Sequence, residues 1–187
     1  RNSGVLHAGI YYAADSLKAR LCAEGARRLR AYATERKLPL RTCGKVIVAT
    51  EESDRPGLEE LRRRGIANGA DGLEVIGEGR LRELEPHAAG IRAIHSPNTG
   101  IVDYTKVTLS FASEMVRNGG DLLTGTRVLQ AATRDGRVHL ETSKGDVTVR
   151  HVINCAGLYA DTLAREMGID TGVRILPFRG EFYSLKP

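Results

Sequence analysis

The sequence predicts a mixed fold, α/β in class with α+β character, and three stretches carry that reading. Between Ser16 and Lys37, Leu17, Leu21, Cys22, Leu29, Tyr32 and Ala33 recur at helical spacing. From Thr126 to Asn154, three strand-like runs are parted by Asp135-Gly136 and Lys144-Gly145, which supply the turns of a meander. From Val152 to Ala164, a run apolar on both faces meets Ala156-Gly157 and then a helix start.

The remaining elements follow in order. Asp15 or Ser16 caps the first helix, and Pro39 closes it. Lys45 to Thr50 is a short buried strand. Ser53 or Asp54 opens an Arg-rich helix with Leu58, Leu61 and Ile66 on one side, ending near Gly69. Leu73 to Ile76 suits a strand, and a helical piece from Glu78 stops before Pro86. Ile91 to His95 reads as extended. Asp103 then caps a helix that turns Thr108, Phe111, Ala112 and Met115 inward and stops at Gly119-Gly120. After the meander comes a helix over Tyr159 to Met167, and a last strand runs from Arg174 to Leu185. There is no repeat, linker or low-complexity stretch.

Composition narrows the function classes. The 187 residues are 41% hydrophobic and 27% charged, a globular balance long enough for one ordinary domain or two small ones. No apolar run approaches the roughly 18 residues of a membrane span, and no signal-peptide pattern occurs. The net charge of +5 favours anionic partners. Without Trp, and without Lys/Arg blocks interleaved with aromatics, nucleic acid is not expected. A small carboxylate or a phosphate-bearing cofactor fits better. Cys22, Cys43 and Cys155 are odd in number and form no CxxC pair. That argues against a disulfide framework or zinc site and suits a reducing cytoplasm. Cys155 sits in the apolar VINCAG and is expected to pack as a small hydrophobe.

The strand-to-helix junction is the first candidate site. A strand end followed by Ala156-Gly157 and a helix start presents backbone N–H groups and a positive helix end to a ligand. Gly157 lets a phosphate or ribose approach closely, although a tight turn alone would also need it. The second candidate is the opening RNSGVLHAGIYY, a polar glycine-bearing turn followed by His7, Tyr11 and Tyr12.

Three segments together, RNSGVLHAGIYY, the meander running into VINCAG, and LPFRGEFYSL, resemble FAD oxidoreductases of the D-amino-acid-oxidase-like family. With SLKARLC, CGKVIVAT and HSPNTGIVDY present as well, the specific resemblance is to L-2-hydroxyglutarate oxidases and dehydrogenases, over essentially the whole chain. VINCAG is shared across many flavoproteins. The chain departs from the family in lacking GxGxxG, the element that would hold the FAD pyrophosphate. The resemblance therefore implies an internal fragment of a longer enzyme. It would comprise part of a Rossmann-like FAD-binding domain and part of a mixed-sheet substrate domain. The implied division assigns 1–37 to the FAD domain, 38–102 to the substrate domain, 103–172 to the FAD domain again, and 173–187 to a return strand.

The residue roles follow from the resemblance. Arg1, Asn2, Ser3 and Gly4 would line the flavin, with Val128, Ala156 and Gly157 as further FAD contacts. His7 would take the hydroxyl proton of a 2-hydroxy acid, since a neutral imidazole suits that work near pH 7. It could instead tether FAD covalently or serve the structure alone. Tyr11 and Tyr12 would line the pocket. Arg179 would clamp a substrate carboxylate as one of two cationic anchors, and His95, with Asn98, would reach the substrate or order a loop. Capping is the better role for Asp103. His87, His139 and His151 read as solvent-facing or structural. The implied parent oxidises a small anionic 2-hydroxy acid such as L-2-hydroxyglutarate. Its electrons would pass to oxygen or, through a peripheral membrane contact, to quinone, in the cytoplasm or at the inner membrane. The alternatives are an amine-oxidising member of the glycine or sarcosine oxidase type, and a non-catalytic binding domain. The fragment alone is expected to be inactive and prone to self-association.

Overall fold

The computed structural model describes residues 3–181, and its chain divides into two units, Arg1–Gly120 and Asp121–Pro187. Both mix helices with small antiparallel sheets, as the sequence predicts. Among the described residues no helix is long and apolar enough to cross a membrane.

The first unit is built on two three-stranded sheets. One sets β1 (Val5–Leu6) beside β6 (Gly100–Val102), which pairs on its other edge with β2 (Leu40–Thr42). Against it lie α1 (Leu17–Glu35) and α4 (Tyr104–Arg117), whose Ala33 and Val107 meet Val102 in one buried cluster. Each helix starts at a side-chain cap. Ser16 Oγ accepts from the Ala19 N–H at 3.1 Å, and Asp103 Oδ1 accepts from the Lys106 N–H at 3.0 Å. The two helices are also joined through Tyr32, whose hydroxyl lies 2.7 Å from Ser110 Oγ, and through the Arg36–Glu114 ion pair.

The other sheet orders β3 (Lys45–Ala49), β5 (Arg92–Ser96) and β4 (Glu74–Gly77). Register decides what each face carries, because successive side chains alternate across a strand. Ile47 opposite Ile94 faces α2 (Arg55–Ala67), where Leu58 and Leu61 cover it together with Ala49. Val46, Val48, Ala93 and Ile76 face α3 (Glu78–Leu84), centred on the fully buried Leu81. Lys45 shares the α2 face with its partner Ser96, and His95 shares the α3 face with Val46 and Glu74.

The second unit holds the meander β7 (Val128–Arg134), β8 (Arg137–Thr142) and β9 (Val147–Val149), followed by α5 (Ala160–Glu166). Asp135 and Gly136 both take positive φ, +50° and +70°, the requirement of a type I′ hairpin turn. A short 3₁₀ turn over Gly157–Tyr159 leads into α5.

Several expectations are corrected. β1, β2 and β6 were not foreseen, since strands of two or three residues have no period to read. Leu17 and Leu21 are exposed because the inward stripe of α1 runs through Ala19, Leu29 and Ala33, on the opposite side of the helix. On α2, Ile66 is exposed while Leu58 and Gly65 are buried. On α4, Val107 leads the inward face. Thr108 is exposed and its hydroxyl donates to the Tyr104 carbonyl, Phe111 is half-exposed on the flank 4.8 Å from the Tyr32 ring, and Met115 is exposed. Cys155 is exposed, and Val152 to Asn154 carry no strand, for no strand among the described residues pairs with them. Ile153 is 88% exposed. Residues 174–181 likewise form no strand, and the rest of that predicted element lies outside the described residues.

Candidate functional site

The opening segment is fixed by its carbonyl oxygens. Gly4 O accepts from the Val102 N–H at 2.8 Å and Val5 O from the Tyr104 hydroxyl at 3.3 Å. His7 O accepts from the Cys22 thiol at 3.6 Å. Gly9 O and Tyr12 O both accept from Asn68 Nδ2 at 2.9 Å. Leu6 and Ile10 are buried, and Ile10 lies against Gly65 of α2. Gly9 bends the chain at φ +81°, a conformation that costs a residue bearing a Cβ. Backbone and apolar side chains thus hold this stretch to α1, α2 and α4, while His7 and Tyr11 stay exposed.

Those two side chains share a neighbour absent from the sequence-based site. Lys45 Nζ, at the head of β3, donates to Tyr11 Oη at 3.1 Å and stands 4.4 Å from the centre of its ring. Partial burial and the Lys45 charge together hold the His7 pKa below its ordinary 6.5. The imidazole is therefore neutral at neutral pH, the form that can accept a proton. Burial pushes the Cys22 thiol and the Tyr104 hydroxyl up, so both remain protonated donors to the backbone they hold. His7 also lines an open groove of about 1260 Å³ together with Ala19, Arg20, Arg30 and Asn68. Lys45 and Tyr11 are not among the residues lining it.

The other predicted residues distribute as follows. Ser3 is exposed, and its Oγ accepts from the Val5 N–H at 3.4 Å. Gly4 has φ +75°. Tyr12 is partly buried and its carbonyl is held by Asn68. His95 is not brought to His7's neighbour Lys45. It faces the α3 side of the sheet, with Nδ1 3.9 Å from Glu74 Oε2. Asn98 Nδ2 donates to the Asp71 carbonyl at 3.1 Å, which fits the loop-ordering role. Arg1 and Asn2 lie outside the described residues.

In the second unit, Val128 opens β7 beside a bulge between Val128 and Gln130. Asn154 closes the VINCAG junction on itself: its Oδ1 accepts from the Ala156 N–H at 3.1 Å and its Nδ2 donates to Ala160 O at 2.8 Å. Gly157 has φ +58°, and a Cβ added there would meet open space. That opening fits the close approach expected of a flavin nucleotide, so the residues present are compatible with the cofactor. Arg179 is exposed, 3.7 Å from Glu181.

Sequence reasoning missed Lys45 and Asn68. A Lys heading an otherwise apolar strand was a usable signal for the first. Asn68 precedes Gly69 at a helix end and reads only as a cap, which gives no hint that its side chain turns back to residues 9 and 12.

The family described as FAD dependent oxidoreductase matches residues 1–187. A mitochondrial L-2-hydroxyglutarate dehydrogenase of Nematostella vectensis is 40% identical over 200 aligned residues, covering 100% of this chain and 44% of that protein. L-2-hydroxyglutarate dehydrogenase of Indibacter alkaliphilus is 41% identical, covering 99% of this chain and 47% of its own length. The chain thus spans under half the length of these relatives. Among solved structures, the FAD-bound L-alpha-glycerophosphate oxidase of Mycoplasma pneumoniae superposes with a TM-score of 0.81 at 26% identity. The match covers 89% of this chain and 46% of that one.

Proposed function

Because this chain belongs to the FAD dependent oxidoreductase family, we propose that the whole protein oxidises a small 2-hydroxy acid, L-2-hydroxyglutarate, to the 2-oxo acid. The observation that carries the proposal is His7, an exposed imidazole kept neutral beside Lys45 on a segment fixed at five carbonyls. The names of relatives about 40% identical over the full chain support the choice of substrate.

Bound FAD supplies the acceptor for the two electrons that leave with the hydride. In the first unit, Ser3 and Gly4 are the proposed cofactor contacts; in the second, they are Val128, Ala156 and Gly157. His7 receives the proton of the substrate hydroxyl as the adjacent carbon loses its hydride, and the C–O bond becomes the carbonyl of the product. A base held below its ordinary pKa by burial and by Lys45 is unprotonated before the reaction, which suits this work. The five backbone contacts fix the loop that carries the imidazole, so the proton transfer needs no rearrangement of that loop.

A substrate panel on the purified full-length protein tests the reading. Flavin-linked oxidation of L-2-hydroxyglutarate, with little turnover of glycine or sarcosine, is expected. Preference for the amines would replace it with the amine-oxidase reading.

A further inference from the structure

Most helix cations in this chain are already answered by a carboxylate one turn away. Arg27 and Arg28 meet Glu24, Arg63 and Arg64 meet Glu60, Arg82 meets Glu78, and Arg165 meets Asp161. Lys45 differs. It is half-buried and heads the strand face that continues into Ile47 and Ala49 of the core, and among the described residues no carboxylate pairs with it. A hydroxyl and an aromatic ring fix its Nζ. Neither contact carries a negative charge, and only one of the three ammonium N–H donors is used on Tyr11. An ammonium held in place with donors to spare can receive an anion.

Its place on Tyr11, four residues after His7 on the segment that Asn68 pins, selects the anion. A monocarboxylic 2-hydroxy acid offers nothing beyond its reacting end, whereas a dicarboxylate carries a second charge at its far end. His95 does not compete, since it faces the other side of the sheet.

We infer that Lys45 binds the distal carboxylate of a dicarboxylic 2-hydroxy acid, with Tyr11 positioning its Nζ, and so selects dicarboxylates over monocarboxylates. The inference rests on the 2-hydroxy-acid reading and deepens it.

The test uses the full-length flavoenzyme and two variants, Lys45→Met and Lys45→Gln. The second preserves a polar side chain in case the first fails to fold. Binding of glutarate, a dicarboxylate without the reacting hydroxyl, is measured by calorimetry, and KM is measured for L-2-hydroxyglutarate and for 2-hydroxypentanoate. Loss of a charge-assisted hydrogen bond should weaken glutarate binding, and raise KM for the dicarboxylate, by about 10–150-fold. Measured well above pH 6.5, where His7 is neutral with or without the Lys45 charge, KM for the monocarboxylate should stay within about twofold, a negligible change on the scale of tenfold per 1.4 kcal/mol. Equal losses for both acids would overturn the inference and leave Lys45 acting through His7 or the fold. So would glutarate binding that is absent from the parent protein or indifferent to residue 45. If the parent binds glutarate in a Lys45-dependent way yet oxidises no 2-hydroxy acid, the proposed function fails and the dicarboxylate site stands.

Discussion

Asn68→Ala removes a single side chain that fastens the whole HAGIYY turn. Its Nδ2 supplies both of the hydrogen bonds to Gly9 O and Tyr12 O, each 2.9 Å long and part-buried. A hydrogen bond of this kind contributes about 0.5–1.5 kcal/mol net, so losing two costs about 1–3 kcal/mol. The cost falls on local opening of residues 7–12, because Cys22 and Tyr104 still hold the segment's start at His7 and Val5. At tenfold per 1.4 kcal/mol, the turn should open about 5–150 times more often. Hydrogen exchange read by mass spectrometry on a peptide spanning residues 7–13 measures this directly, with a peptide from β8 as the reference. Asn68→Asp should be worse still, since a carboxylate would face two carbonyl oxygens with no donor between them. Exchange at residues 7–13 within twofold of the parent would refute the claim that Asn68 pins the site.

Asp103→Ala should cost about 1 kcal/mol of stability through the lost cap on the Lys106 N–H, while Asp103→Asn should recover most of it; urea unfolding of the two variants checks this. The pH dependence follows from His7. With its folded pKa below 6.5, the unfolded chain binds more protons at this residue between the folded value and 6.5. Its contribution to stability therefore rises with pH across that window and is lost as pH falls through it. The same depression predicts that kcat/KM declines only below pH 6.5. Lys45→Gln should move that limb upward, because Lys45 is the charged group that lowers the His7 pKa; the thiol of Cys22, facing the His7 carbonyl, stays neutral. A limb centred above 6.5 in the parent protein would contradict the assignment.

What the sequence made legible was local chemistry. Ser16 and Asp103 cap the helices they were expected to cap, and Asp135-Gly136 makes the expected hairpin, because each depends on residues within a turn of itself. Helix facing was harder. Leu17 and Leu21 lie one turn apart and form a convincing apolar stripe, yet tertiary packing selected the smaller Ala19 and Ala33 on the other side. The site was half legible. His7 and Tyr11 stood out in RNSGVLHAGIYY by type and spacing. Lys45 reaches Tyr11 across 34 residues and Asn68 reaches the Gly9 carbonyl across 59, through β3 pairing and the end of α2, a proximity that no local pattern encodes. The separation of His95 from Lys45 turned on strand register, where one position moves a side chain to the opposite face.

If a neutral His7 takes the hydroxyl proton of a 2-hydroxy acid in a flavoenzyme, its removal must slow reduction of the flavin. Anaerobic mixing of the full-length protein with L-2-hydroxyglutarate, in the parent and in His7→Gln, tests it most directly through the visible absorption of the flavin. Rapid bleaching is expected in the parent and bleaching slowed by about 10²–10⁴-fold in the variant, with its flavin content unchanged. Bleaching at the same rate in both, or none in the parent while its flavin remains bound, would contradict it.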